Sequence, residues 1–266
     1  MSKALRNREE SDFAASMFAG TEFFRRRVVV DGLTADLRRF PGLEGGPDFV
    51  LVHGIGVSSR YFQPLAVELS RHGTVWLVDL PGYGSAPKPA ASPSLADHAR
   101  VLAAVIESAG IHSPVLVGHS MGCQVVTRLA VDDPSISRCL VLLAPTINAA
   151  ERSFREASFR LFQDILREPF RANLVVGTDY FFRCGPVYFI RQLPTLLDDA
   201  IEERLGAIDA PTLVLVGNRD PVVSVEWADQ VARLLPRGTL GIVQGPHVIM
   251  FTDPAGIAER IVEHCT

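Results

Sequence analysis

The run Phe49-Val50-Leu51-Val52, apolar at every position and ending abruptly at His53-Gly54, constrains this chain more than any other feature. A strand that is apolar on both faces belongs inside a parallel sheet covered by helices on either side. The rest of the chain repeats the theme. Helix-like 61–70 leads to a strand at 75–78, helix-like 95–109 to a strand at 115–117, and a helix over 121–131 to a strand at 139–143. Further on, 212–216 and 240–243 read as strands, with helices at 225–235 and 255–264. Upstream, 24–30 and 33–40 form a hairpin through Asp31-Gly32. Residues 8–20, with Phe13, Met17 and Phe18 at helical spacing, read as a short amphipathic helix. This alternation predicts an α/β fold with a mostly parallel sheet, helices on both faces and an antiparallel start.

A chain of 266 residues accommodates one large α/β domain or a core with an insertion. Hydrophobic residues at 47% and charged residues at 21% exclude intrinsic disorder and coiled coils. No apolar run approaches the ~18 residues that would cross a bilayer. The first twenty residues, with Arg6, Arg8, Glu9, Glu10 and Asp12, lack the apolar core of a secretory signal. A soluble, cytoplasmic protein without a membrane partner is expected. With 26 basic against 30 acidic residues, no cationic excess marks a nucleic-acid partner. Only Lys3 and Lys88 are lysines, an imbalance attributed to genomic base composition. Cys123, Cys139, Cys184 and Cys265 show no C-x-x-C spacing, so buried thiols in a reducing compartment are expected.

Between Pro145 and Pro211 no strand pattern occurs. The stretch is helix-like around 151–168 and 186–197. It holds Phe154, Phe159, Phe162, Phe170, Tyr180, Phe181, Phe182, Tyr188 and Phe189, nine of the 21 aromatics. A structureless loop of that length does not suit a compact domain, so a helical insertion over the end of the sheet is expected. Core segments 1–147 and 206–266 would then flank a cap at 148–205.

The strongest chemical signal is Gly118-His119-Ser120-Met121-Gly122, placed between an apolar strand and a helical segment. G-x-S-x-G in that setting is the nucleophile elbow. The turn is so sharp that side chains at 118 and 122 would collide with neighbouring backbone. It lifts the Ser120 hydroxyl to the start of a helix, where free N–H groups favour negative charge.

With these residues the chain resembles the α/β-hydrolase fold superfamily from about Phe24 onward. His53-Gly54-Ile55-Gly56 is similar to its H-G-x-G turn, and Asp79-Leu80-Pro81-Gly82-Tyr83-Gly84 to its D-x-x-G-x-G turn. Residues 211–220, ending in Asp220, are similar to the strand and turn that carry the acid. The insertion after the sixth expected strand falls where such enzymes keep a cap. A serine hydroxyl needs a base, and the base an orienting acid. In the family's order of nucleophile, acid and histidine, Asp220 is the acid and His247 the base; His264, in the terminal helix, is expected at the surface. The backbone N–H groups of Met121 and Ile55 are the expected oxyanion donors. His53 and His119 lack further ligands at compatible spacing, so neither a metal nor another cofactor is expected.

Serine at the elbow implies acyl transfer to water and argues against haloalkane dehalogenase and epoxide hydrolase, which use aspartate there. Carboxylesterase, lactonase and carbon–carbon bond hydrolase share the triad. The last of these typically has an aromatic residue after the histidine, whereas Val248-Ile249-Met250 follows His247 here. Arg183 and Arg191 are candidate carboxylate binders, with a solvated helix face beside Asp198, Asp199, Glu202 and Glu203 as the alternative. His53, Gly54, Val222, Val248, Phe181 and Arg183 are expected around the pocket, with Met250 near it. A largely apolar pocket for small ester-like substrates follows. A ligand receptor that retains the triad is the alternative of another class.

Overall fold

The computed structural model describes residues 14–18, 20–146 and 177–266. Among the described residues nine strands form one sheet: β1 (Ala14–Phe18), β2 (Thr21–Val30), β3 (Leu33–Phe40), β4 (Asp48–Val52), β5 (Thr74–Asp79), β6 (Val115–His119), β7 (Cys139–Leu143), β8 (Thr212–Gly217) and β9 (Gly238–Val243). Their spatial order is β1-β2-β3-β5-β4-β6-β7-β8-β9. Pairings from β1 to β5 through β3 are antiparallel, and the remaining pairs are parallel. The hairpin turn expected at Asp31-Gly32 has positive φ at both residues, 50° and 79°, the geometry that suits a right-handed strand twist.

Unbroken apolar strands follow from which face each residue meets. Val50, Val52, Leu116, Leu140, Leu142, Val214 and Val216 pack into one cluster. Their chain neighbours Phe49, Leu51, Val115, Val117, Val141, Leu143, Leu213 and Leu215 pack into a second, on the opposite face. The first cluster is covered by α2 (Leu95–Ser108), α3 (Met121–Asp132) and, beyond β8, α6 (Val225–Leu234). The second is covered by α1 (Gln63–Leu69), the short α7 (Ile249–Thr252) and α8 (Pro254–Cys265). Helix α2 opens on a capping box, with Ser94 and Asp97 exchanging side-chain to backbone hydrogen bonds.

Three expectations are corrected. Within the segment expected as a helix at 8–20, residues 14–18 are strand β1, paired with β2 in the register Ala14↔Arg25 to Phe18↔Thr21; 8–13 lie outside the described residues. A short isolated helix is marginal, whereas pairing satisfies the backbone groups along the open edge of β2. The extra strand makes the insertion follow the seventh strand of the sheet. Cys139 and Cys265 are not thiols: they form a disulfide joining the start of β7 to the end of α8, across 126 residues of sequence. That juxtaposition is tertiary and leaves no local spacing. Cys123 and Cys184 are buried free thiols. The end of α8 also leaves His264 half-buried rather than at the surface.

Of the insertion, residues 151–168 with Phe154, Phe159, Phe162 and Phe170 lie outside the described residues. The described part is helical: a wide π-turn (Asp179–Cys184), α4 (Pro186–Leu197) and α5 (Glu202–Leu205). Cys184, Tyr188, Leu193 and Leu196 join the same apolar cluster as α2 and α3.

Candidate active site

Ser120 stands between β6 and α3 with φ 54° and ψ −120°, a conformation that L-residues seldom adopt. Glycine is required on both sides of it. A Cβ on Gly118 would sit 2.5 Å from the Gly122 carbonyl oxygen, and one on Gly122 would sit 2.1 Å from that of Val52. Ser120 N–H donates to the Leu143 carbonyl (3.0 Å), tying the turn to β7. Its hydroxyl lies 3.4 Å from Thr146 Oγ1. Across the turn, a Cβ on Gly54 would meet Ser120 Cβ at 3.0 Å and Oγ at 3.4 Å, so the loop after β4 touches the elbow itself.

The loops after β8 and β9 bring Asp220 and His247 together. His247 Nδ1 donates to Asp220 Oδ2 at 2.8 Å. The other carboxylate oxygen accepts from Val222 N–H (2.7 Å) and Val223 N–H (2.9 Å), which fixes the carboxylate from behind. Asn218 N–H donates to Val243, and Arg219 N–H to the Gly245 carbonyl, so the two loops are zipped along their backbones. Gly217 permits that approach, since a Cβ there would lie 2.3 Å from Gly245 O. Ser120, Asp220 and His247 thus lie at the carboxyl ends of β6, β8 and β9, the edge where open α/β sheets bind ligands. The ring of His119 lies tilted beside that of His247, 4.6 Å between centroids, which brings the residue before Ser120 against the histidine.

Ile55 and Met121 are both buried, in the two turns that face each other across Ser120. His53 has both ring nitrogens committed within the fold. It is fully buried, its Nδ1–H donates to the Gly54 carbonyl (2.7 Å), and its Nε2 accepts from Leu80 N–H (3.1 Å). Burial pushes its pKa down, and a neutral ring suits this arrangement. Asp79, at the end of β5, accepts from the N–H groups of Ser59 (2.8 Å) and Ser85 (2.9 Å) and from Arg38 (2.8 Å). Burial opposes its charge, but Arg38, His53 and these donors outweigh that and hold the carboxyl at about 2.

Other pocket expectations are redistributed. Val248 and Met250 turn down with α7 into the apolar cluster on the α1 and α8 face, and Val222 packs half-buried against the opposite cluster. Phe181 is 64% exposed, pointing outward from the π-turn. Arg183 is engaged by Asp179 (3.3 Å) and Ser85 Oγ (3.4 Å), and Arg191 by the Ala90 carbonyl. The residues that meet the Gly54–Gly56 turn are instead Phe189 and Tyr180, 2.8 Å and 3.5 Å from a Cβ built on Gly56. Asp179, fully buried, accepts from Ser58 N–H (3.1 Å), Ser58 Oγ and Arg60 Nη1 (3.0 Å), clasping the loop just beyond. None of Thr146, Asp179, Tyr180 or Phe189 carried a motif; only the aromatic density of the insertion hinted at the last two.

The chain is 31% identical over 161 residues to a 2-(acetamidomethylene)succinate hydrolase of Mesorhizobium japonicum, covering 58% of this chain and 56% of that protein. It is 25% identical over 246 residues to a pimeloyl-[acyl-carrier protein] methyl ester esterase of Vibrio vulnificus, covering 82% and 93% of the two chains. The crystal structure of a bacterial membrane phospholipase A superposes with a TM-score of 0.78 at 23% identity, over 98% of this chain and 89% of that one. A family model described as the alpha/beta hydrolase family matches residues 49–260, most of the chain, and the chain belongs to that family.

Proposed function

We propose that this protein is a serine hydrolase that cleaves carboxylic esters of small, largely apolar substrates through an acyl-enzyme on Ser120. The observation that carries the reading is the Asp220–His247 hydrogen bond of 2.8 Å on the sheet edge where Ser120 occupies its strained elbow. His247 Nε2 takes the Ser120 proton as Oγ bonds to the substrate carbonyl carbon. The carbonyl oxygen becomes an oxyanion facing the N–H groups of Met121 and Ile55. The intermediate collapses, the C–O bond to the alcohol breaks, and His247 returns the proton to the departing oxygen. Water then attacks the acyl-serine, giving its proton to His247, and the acid leaves as Ser120 regains its hydrogen. Asp220 holds the imidazole in the productive tautomer throughout. Residues 148–205 act as a cap between core segments 1–147 and 206–266, with Tyr180 and Phe189 giving the site an apolar wall.

The methyl ester esterase among the relatives supports an ester substrate. Hydrolysis of p-nitrophenyl esters from acetate to octanoate tests the reading in the wild type and Ser120→Ala side by side. The variant is expected to lose kcat by roughly 10⁴-fold. Retained turnover would remove Ser120 from the mechanism. Wild-type turnover at the variant's level would point to lactones, C–C substrates or a receptor.

A further inference from the structure

His119 takes no part in the steps above, yet it touches two of the loops that build the site and forms part of the turn between them. Gly54 N–H meets Tyr61 Oη at 2.9 Å, Tyr61 Oη meets His119 Nδ1 at 2.8 Å, and His119 Nε2 meets the His247 carbonyl at 3.2 Å. The direction of this chain of bonds is fixed because both ends are backbone. A peptide N–H only donates and a carbonyl oxygen only accepts. Nε2 of His119 therefore carries the hydrogen and donates to His247. Its Nδ1 is a lone pair, which takes the Tyr61 hydroxyl hydrogen, and Tyr61 in turn accepts from Gly54.

We propose that Tyr61 and His119 are positioning residues for the hydrolysis, a one-way hydrogen-bonded chain that sets the oxyanion turn, the nucleophile elbow and the histidine loop at fixed distances from one another. The inference rests on the Ser120–His247 reading and deepens it. Gly54 is held on both sides, its N–H by Tyr61 and its carbonyl by His53, while its Cα lies against Ser120. With its N–H so committed, the turn offers the next one, that of Ile55, to the oxyanion. At the other end the bond falls on the backbone of His247 and leaves the side chain for Asp220 and the reaction. His119 is buried, and burial keeps its ring neutral. The ring beside that of His247 therefore adds no second positive charge when His247 takes up the serine proton.

Tyr61→Phe deletes one oxygen and keeps the ring that stacks on Phe62 at 4.6 Å. It leaves Gly54 N–H without this acceptor and the His119 Nδ1 lone pair without its donor, while Nε2–H still donates to the His247 carbonyl. Because misplacing reacting groups by 1 Å costs about 10²-fold, kcat on the best p-nitrophenyl ester is expected to fall ~10-fold or more. KM should change less than about threefold, since no substrate contact is lost. Imidazole ¹⁵N NMR of the wild type should show His119 as a single Nε2–H tautomer with its Nδ1 resonance shifted upfield by the hydrogen bond from Tyr61, and that shift should be lost in Tyr61→Phe. Wild-type kcat in Tyr61→Phe, or a His119 Nδ1 resonance that ignores the substitution, would overturn the proposal. A kcat loss matched by an equally destabilised packing control, Phe62→Leu, would do the same. The NMR readout needs no turnover, so failure of the Ser120 reading, seen as activity in Ser120→Ala, is told apart from failure of this one.

Discussion

Ser120 keeps φ 54° only because the residues around it yield space: glycine at 118 and 122 lets backbone atoms pass within 2.5 Å of where a side chain would start. This much was legible in G-H-S-M-G. Gly217 was not singled out, although its missing side chain admits the histidine loop. Gly217→Ala would place a methyl 2.3 Å from Gly245 O and 2.5 Å from Pro246 O, both unyielding backbone atoms. The loop must shift, and with it the Asp220–His247 bond. We expect kcat/KM on p-nitrophenyl esters to fall about 100-fold, by the sensitivity of reaction to 1 Å displacements, while the protein still folds. Unaltered kinetics would show that the loops tolerate separation. His53 teaches the reverse lesson: beside a catalytic motif it reads as a pocket residue, but its two nitrogens are spent on Gly54 and Leu80.

Among elements, the π-turn at Asp179–Cys184 is joined to the loop beyond the Gly54–Gly56 turn by one buried carboxylate. Asp179 was invisible to sequence reasoning because its partners, Ser58 and Arg60, lie about 120 residues earlier in the chain. Asp179→Asn keeps the shape but replaces one acceptor oxygen with a donor facing other donors. Breaking a fully buried pair costs about 3–5 kcal/mol, and the part-exposed Arg60 argues for less, ~2 kcal/mol. The expected result is faster tryptic cleavage after Arg183 and Arg191, read by mass spectrometry, together with lower kcat/KM. Cleavage at the wild-type rate would deny the clasp its role. Helix boundaries fared better. Expected 186–197 is α4 (Pro186–Leu197), since Pro186 and the apolar spacing mark it locally. The helix expected at 61–70 divides into a 3₁₀ turn (Ser59–Phe62) and α1, with Pro64 in the first turn of α1.

For the whole molecule, three of the four buried histidines, His53, His98 and His119, make stability depend on pH. Burial lowers the pKa of His53 and His119, and lowers that of His98 to about 4. Each group binds a proton near pH 6.5 when unfolded but resists it when folded. Acidification from pH 7.5 to 5 therefore favours the unfolded chain, and stability is present above pH 6.5 and drains away below it. The slope is about 1.4 kcal/mol per pH unit for each proton taken up. Urea denaturation followed at half-unit steps checks it, and stability that stays level or rises toward pH 5 would refute it.

The alternation of apolar runs determined the layered α/β fold, because a strand buried on both faces cannot hide its pattern. The strand–turn–helix setting of Ser120, and the chain order of Asp220 and His247, made the candidate site readable, because each follows a strand at the same edge. What the tertiary structure alone decided is every relation across distance. It pairs β1 with β2 instead of coiling it, joins Cys139 to Cys265, seats Asp179 on Ser58, and runs hydrogen bonds from Gly54 through Tyr61 and His119 to His247. These choices turn on which buried groups must find partners once the sheet has closed, and no local spacing encodes that.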